Sequence, residues 1–368
     1  MENGTVSGHG MRLGRNLRIA LAIAGKDIID ALKNKTTLSN IVMLFLIMAA
    51  YKWMPSLYKE SDNFLVLLDE GNSQLVTMLE ESTTFNPLLT TSTEAFEGKL
   101  DDADVLDVGL VIPADFDHRL EAGEQPVLRG YVMWPRRAAV DELRLEYEHR
   151  LAELLGQPVS IDVAEPIHFQ PDSLGSTVMV AVTLVIVIFF AGTFTVPHLI
   201  LDEKQTKTMD VLLVSPAGSS HVVAGKALAG AFYCLTSAAV AVLINWTSVM
   251  NWGLVIIGIL CSTLFAVGLG LLLGIMLDNR QQMMIWAFVP ANILLIPVFL
   301  NAMEPILPQA VASVLPWIPT VAQAIVFRYA CSSGAPLGQT MLHLGVSLVG
   351  GLALLAAVVW KVRGLDRG

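Results

Sequence analysis

Six apolar stretches, each near the length needed to cross a bilayer, limit this chain more than any other feature. They are Leu38–Met54, Leu174–Ile200, Lys226–Trp246, Gly253–Leu277, Met283–Leu300 and Thr340–Trp360. A crossing helix takes about 20 apolar residues. Lipid offers the backbone no hydrogen-bond partner, so such stretches must close their own bonds as helices. The first stretch is the shortest. Of 368 residues, 54% are hydrophobic and 15% charged, whereas soluble domains carry about a quarter charged. The class is an integral membrane protein. Met1–Gly10 is polar and Gly-rich, and no small-residue cleavage site follows the first apolar run. That run is therefore expected to stay as an anchor.

Basic residues set the expected orientation. Arg12, Arg15, Arg18, Lys26, Lys33 and Lys35 precede the first stretch, Lys204 and Lys207 follow the second, Arg280 follows the fourth, and Lys361, Arg363 and Arg367 follow the sixth. All fall on one side if both termini are cytoplasmic. The long segment 55–172 then faces outward. It holds 24 acidic against 8 basic side chains, leaving 9 acidic and 15 basic elsewhere. Phe64–Leu68, Leu106–Ile112 and Val127–Trp134 read as strands, and Ser73–Glu81, Thr93–Leu100 and Ala138–Leu155 as helices. The alternation predicts a small α/β domain, with its acidity read as a solvated surface. The division is 1–37 as a cytoplasmic N-terminus, 38–54 as span one, 55–172 as the outer domain, 173–361 as spans two to six, and 362–368 as a cytoplasmic tail.

Leu13, Leu17, Leu21, Ala24, Ile28 and Leu32 recur at three- and four-residue steps within residues 12–36. One face is apolar and basic residues flank it. This predicts a helix on the inner leaflet, or one packed on a cytoplasmic partner.

Catalytic patterns are missing. There is no Gly-x-Ser-x-Gly and no His-Glu-x-x-His. Cys234, Cys261 and Cys331 are far apart and read as small buried hydrophobes, with no metal pair. His198 and His343 are expected to bond neighbouring helices. Gly225-Lys226 lacks the upstream Gly and the following Ser or Thr of a phosphate loop. No catalytic residue, bound cofactor or metal is expected. The span interiors hold almost no ionisable groups, which argues against ion-driven transport. Gly270 and Gly274 form a small-xxx-small face for close helix approach, within the chain or to a second copy. Pro290 and Pro297 flank Asn292 in the fifth stretch; the kink and polar side chain suit a pathway or plain packing. Between Glu304 and Pro319 lie Pro-punctuated pieces read as short helices dipping in from the outer face, with Trp317 at the interface.

Asp202–Pro216 is a charged, helix-prone stretch between two apolar runs, and Gly225-Lys226 opens the next. A short polar helix held there suits transmission of a push from a soluble partner; an ordinary solvated helix is the bland reading. Asp202, Glu203, Lys204, Lys207, Met209, Asp210, Leu212, Leu213, Ser215, Pro216, Gly225 and Lys226 stand where the NatB-like branch of the ABC-2-type transporter permeases carries Glu-Glu-Lys-Glu-Asn-Arg-x-Met-Glu-x-Leu-Leu-x-Ser-Pro and a Gly-Lys. Gln205 and Thr206 depart from that pattern. The chain resembles that family.

The resemblance implies a six-span, all-α transmembrane domain like that of type V ABC exporters, with a small α/β extracytoplasmic domain between spans one and two. It implies a multi-pass protein of the inner (plasma) membrane that dimerises with an identical or related permease. Two cytoplasmic ABC ATPase subunits would hold ATP and Mg. Residues 202–216 would be the coupling helix, and 12–36 the connecting helix. Glu203, Lys204, Lys207, Met209, Asp210, Leu212, Leu213, Ser215, Pro216 and Lys226 would contact the ATPase. A periplasmic adaptor is compatible, and no nucleic-acid partner is expected. The substrate stays open among ions, drugs, peptides and lipids. A sensor or scaffold with a ligand-binding outer domain is the alternative function.

Overall fold

The computed structural model describes residues 18–29, 64–82, 85–102, 108–168, 170–171, 176–206, 219–302 and 307–365. The expected first span, 38–54, lies outside the described residues.

Residues 18–29 form one helix, α1. A sheet-bearing unit follows. Its order is β1 (Phe64–Asp69), α2 (Gln74–Glu81), β2 (Asn86–Thr90), α3 (Thr93–Asp102), β3 (Val108–Ile112), α4 (Phe116–Glu121), β4 (Val127–Val132), α5 (Val140–Leu155) and β5 (Ser160–Val163). The strands lie in the order β2-β1-β3-β4-β5. All pairs are parallel except β3–β4. Alternate residues of β1 serve two cores. Leu65 and Leu67 pack with Leu75 and Leu79 of α2 and with Leu143, Tyr147 and Leu151 of α5. Val66 and Leu68 pack on the other face with Phe96 and Leu100 of α3.

Local chemistry sets the turns. The Asp69 carboxylate accepts the backbone N–H groups of Gly71 at 3.0 Å and Ser73 at 2.6 Å, which ends β1 and starts α2. The hydroxyl of Ser92 accepts the N–H of Ala95 at 3.2 Å. The N-cap of α3 is therefore Ser92, one residue before the Thr93 start read from sequence. Gly156 closes α5 at φ 69°, a backbone region that favours glycine.

The remaining helices are α6 (Ser176–Phe190), α7 (Val196–Thr206), α8 (Ser219–Ile244), α9 (Trp252–Met276), α10 (Arg280–Ala302), α11 (Gln309–Ala312), α12 (Pro319–Ala330) and α13 (Leu337–Leu365). A single π-turn, Ala191–Thr195, joins α6 to α7. Among the described residues five helices are long and apolar enough to cross a membrane, or six if a bent pair forms one. That pair joins Gln309–Trp317 to Pro319–Ala330 at 90°. α12 is buried from Thr320 to Ala330, so it lies inside the bundle, deeper than a surface piece. Two of its polar side chains are matched there. Thr320 Oγ1 donates to the Leu294 carbonyl oxygen, and Gln323 Nε2 lies 3.1 Å from Ser347 Oγ.

α9 touches every other long helix of this unit. Small residues allow it. A Cβ at Gly270 would lie 2.3 Å from the Gly192 carbonyl oxygen, and one at Gly274 would lie 3.0–3.1 Å from Ile200 and Pro197. The Gly270–Gly274 face therefore meets the π-turn and α7 of the same chain. α10 continues through Pro290 and Pro297. Asn292 Nδ2 donates back to the Phe288 carbonyl oxygen at 2.7 Å, so its polar group is satisfied on its own helix.

Gly270→Ala should lower the thermal unfolding midpoint of the detergent-solubilised protein, by an amount matching roughly 1–3 kcal/mol of overpacking. Gly345→Ala, where a Cβ meets nothing within 4 Å, should leave the midpoint unchanged. Equal midpoints for both variants would contradict the close approach.

Candidate coupling site

At one end of the bundle α7 stops at Thr206 and α8 starts at Ser219. The segment between them holds Lys207, Met209, Asp210, Leu212, Leu213, Ser215 and Pro216, all outside the described residues. Glu203 falls in the last turn of α7. The two remaining candidates, Lys204 and Lys226, are both engaged within the chain.

Lys226 sits in the third turn of α8 and is turned inward. Its Nζ lies 2.9 Å from each carboxylate oxygen of Asp27 on α1. The side chains are 3% and 9% exposed, so the pair is removed from solvent. Gly225 makes this reach possible. A Cβ there would fall 2.7 Å from Ile23 and 3.1 Å from the Ala20 carbonyl oxygen. α1 therefore rests directly on the backbone of α8, close enough for a lysine and an aspartate to meet. Tyr233, two turns further along α8, places its hydroxyl 3.2 Å from the Ile28 carbonyl oxygen and 3.3 Å from that of Asp27. Both carbonyls belong to α1, so the hydroxyl ties α8 to the α1 backbone. Ala24, Leu199, Ala229 and Tyr233 close a small core beneath the pair.

The side of α1 that turns inward is Ala20, Ala24 and Asp27. Sequence periodicity points to Leu21, Ala24 and Ile28, yet Leu21 is 53% exposed. Close approach at Gly225 explains the rotation: alanines fit against a neighbouring backbone where leucines do not. The signal for Asp27 was present as an acid in register with the small residues at positions 20 and 24.

Lys204 does different work. Its Nζ donates to the carbonyl oxygens of Ile275 at 2.9 Å and Leu277 at 2.8 Å, and lies 3.4 Å from Asp278 Oδ1. These carbonyls end α9, where a cation satisfies orphan acceptors and opposes the helix dipole. One lysine thus ties α7 to α9, and another ties α8 to α1.

The far end of α8 carries a second junction. Arg137, beside β4, donates from Nη1 to the Thr247 carbonyl oxygen at 2.7 Å and to that of Trp134 at 3.0 Å. Its guanidinium lies 4.2 Å from the centre of the Trp134 ring. Thr247 belongs to the turn between α8 and α9. In the same turn Met250 and Asn251 donate backbone N–H groups to the Ala330 carbonyl oxygen of α12. The 26 residues of α8 correspond to a rod of roughly 39 Å, with α1 pinned near its start and the sheet-bearing unit touching the turn at its end. Neither Arg137 nor Tyr233 carried a sequence signal for these contacts.

Apolar helices of crossing length, packed through glycines and tied at their ends by lysines, define a multi-pass membrane protein. A sequence profile described as ABC-2 family transporter protein matches residues 35–360. The chain belongs to that family, whose members are the transmembrane subunits of transporters. No curated protein and no solved structure matches the chain.

Removing one partner of the buried pair should be costly. Asp27→Ala removes the carboxylate facing a buried ammonium and should lose about 3–5 kcal/mol at this site, while Asp27→Leu with Lys226→Met should lose far less. Thermal unfolding and protease cleavage within 18–29 measure both. A single variant as stable as the parent would show that the pair is not formed.

Proposed function

We propose that the chain is the permease subunit of an ATP-driven exporter and takes its energy from a separate cytoplasmic ATPase. The carrying observation is the Asp27–Lys226 pair, which joins α1 to the helix that follows the 207–218 segment. In this reading residues 202–216 form a coupling helix seated in a groove of the ATPase through Met209, Leu212 and Leu213. Motion there reaches α8 directly and α1 through the pair, and Lys204 passes it to the end of α9. ATP and Mg stay on two ATPase copies. A second permease, identical or of the NatB-like branch, completes a dimer, and a periplasmic adaptor is compatible.

The membrane placement belongs to the same reading. Residues 38–54 supply a first span, so that six spans of a type V-like domain lie in the inner membrane with both termini cytoplasmic. The sheet-bearing unit is then the extracytoplasmic domain between spans one and two. Its contact with Thr247 and the position of α1 at opposite ends of α8 support that placement, since α8 is long enough to cross. The substrate class, whether ion, drug, peptide or lipid, is not assigned.

Affinity-purified full-length protein should bring down an ATP-hydrolysing subunit, and Met209→Asp with Leu212→Asp should abolish that association while the permease still folds. Unchanged association would refute the coupling role. In intact cells a cysteine placed at Glu124 should react with a membrane-impermeant maleimide, and one added at either terminus should not. The opposite pattern would overturn the topology.

A further inference from the structure

Among the described helices of the sheet-bearing unit, α3 packs on one face of the sheet and α2, α4 and α5 on the other. β1 leads through α2 to β2 on one side, while β2 leads through α3 to β3 on the other. The two helices therefore lie on opposite faces, as the separate cores show. Where connections diverge in this way, a crevice opens at the carboxyl ends of the strands, and open α/β sheets bind ligands there. A trough of about 600 Å³ lies at this point. It runs from the ends of β1 and β3, past the first turns of α3, to a wall made by Ile167 and His168.

The lining suits one kind of ligand. The floor includes Tyr131, and Phe96, 2% exposed, packs behind it edge to face at 5.4 Å. Arg129 is held by Glu70, so that cation is already neutralised. Glu94 and Glu97 on α3 also line the trough, and among the described residues neither has an ion-pair partner. Glu94 sits in the first turn of α3, where the helix dipole favours a negative side chain. An anionic ligand would meet both carboxylates. A neutral one would leave their charge unused. A cation with an apolar body would satisfy the acids and lay its body on the aromatic floor.

We propose that this trough binds a small organic cation, a quaternary ammonium or substituted amine carrying an aryl or alkyl group. The proposal joins three separate features: the divergence of the connections through α2 and α3, a cavity with an aromatic lining, and negative charge without an ion-pair partner on its rim. The far wall gives occupancy a route outward. The His168 ring lies 4.4 Å from that of Trp134, which carries the Arg137 guanidinium that reaches Thr247. The site does not depend on ATP coupling, and its failure would leave the permease reading untouched.

The test uses the full-length protein in lipid nanodiscs and titrates benzyltrimethylammonium by calorimetry, with benzyl alcohol and benzenesulfonate as neutral and anionic counterparts. Saturable binding of the cation alone is expected. Glu94→Gln with Glu97→Gln should weaken it roughly ten-fold, a size fitting two nearby charges and a cation–π contact. Gly98→Phe, at a trough position where a Cβ meets nothing within 4 Å, should block it while leaving the charges in place. Thermal unfolding of each variant should match the parent. Absence of saturable binding, preference for benzenesulfonate, or equal binding by parent and both variants would overturn the proposal.

Discussion

Between helices in lipid there is no hydrophobic driving force, because lipid tails are as apolar as leucine. What holds the helical unit together is close backbone approach, and that approach is concentrated on α9. Gly270 and Gly274 admit the π-turn and α7; Gly258 admits Phe327 of α12; Gly268 and Gly351 bring α9 against α13. A Cβ at any of these would meet a heavy atom at 3.1 Å or less. Each dispersion contact is worth only about 0.1–0.2 kcal/mol, so the unit depends on having many of them along α9. The end contacts can be few because α9 already fixes where the helix ends lie.

The apolar stretches were legible because a crossing helix shows apolar residues on all sides. Gly253–Leu277 read from sequence and Trp252–Met276 in the structure differ by one residue at each end. Lys226–Trp246 was read too short at its start. Ser219–Gly225 opens with two serines and a histidine, yet is helical, and α1 packs against its Gly225. The π-turn could not be read, since Ala191-Gly-Thr-Phe-Thr contains no helix breaker; the extra residue turns the Gly192 carbonyl toward α9. The burial of α12 could not be read from its own residues, since it depends on partners in α10 and α13. In the sheet, β2 was hidden by Pro87 and by an edge pattern that leaves Leu88 and Leu89 exposed. β5 has four residues, one of them Asp162, too few to show alternation.

The candidate site was legible as a place more than as a set of contacts. Charge and the Gly-Lys pair singled out one stretch of chain, and the same residues could serve a partner or the protein itself. Lys204 and Lys226 serve the protein. Distances across 71 and 199 positions decide this, and no local pattern carries such information. A lysine near a helix end always has two uses, outward to solvent or inward to a carbonyl or carboxylate. For Lys226 the buried Asp27 selects between them, and for Lys204 the carbonyl oxygens that end α9 do.

Stability alone does not account for the Asp27–Lys226 pair. Two ions taken out of water lose several kcal/mol of hydration each, and packed apolar side chains of similar volume often do as well or better. A purely apolar contact between α1 and α8 would also slide, because alanine and isoleucine faces match in several registers. The ion pair matches in one. Gly225 sets the distance, Tyr233 bonds the α1 backbone, and the two charges fix the register along the axis. A joint of that kind resists sliding more than it adds cohesion. That property is useful if α1 and α8 must move together when either is pushed, and of little use in a bundle that only has to stay folded.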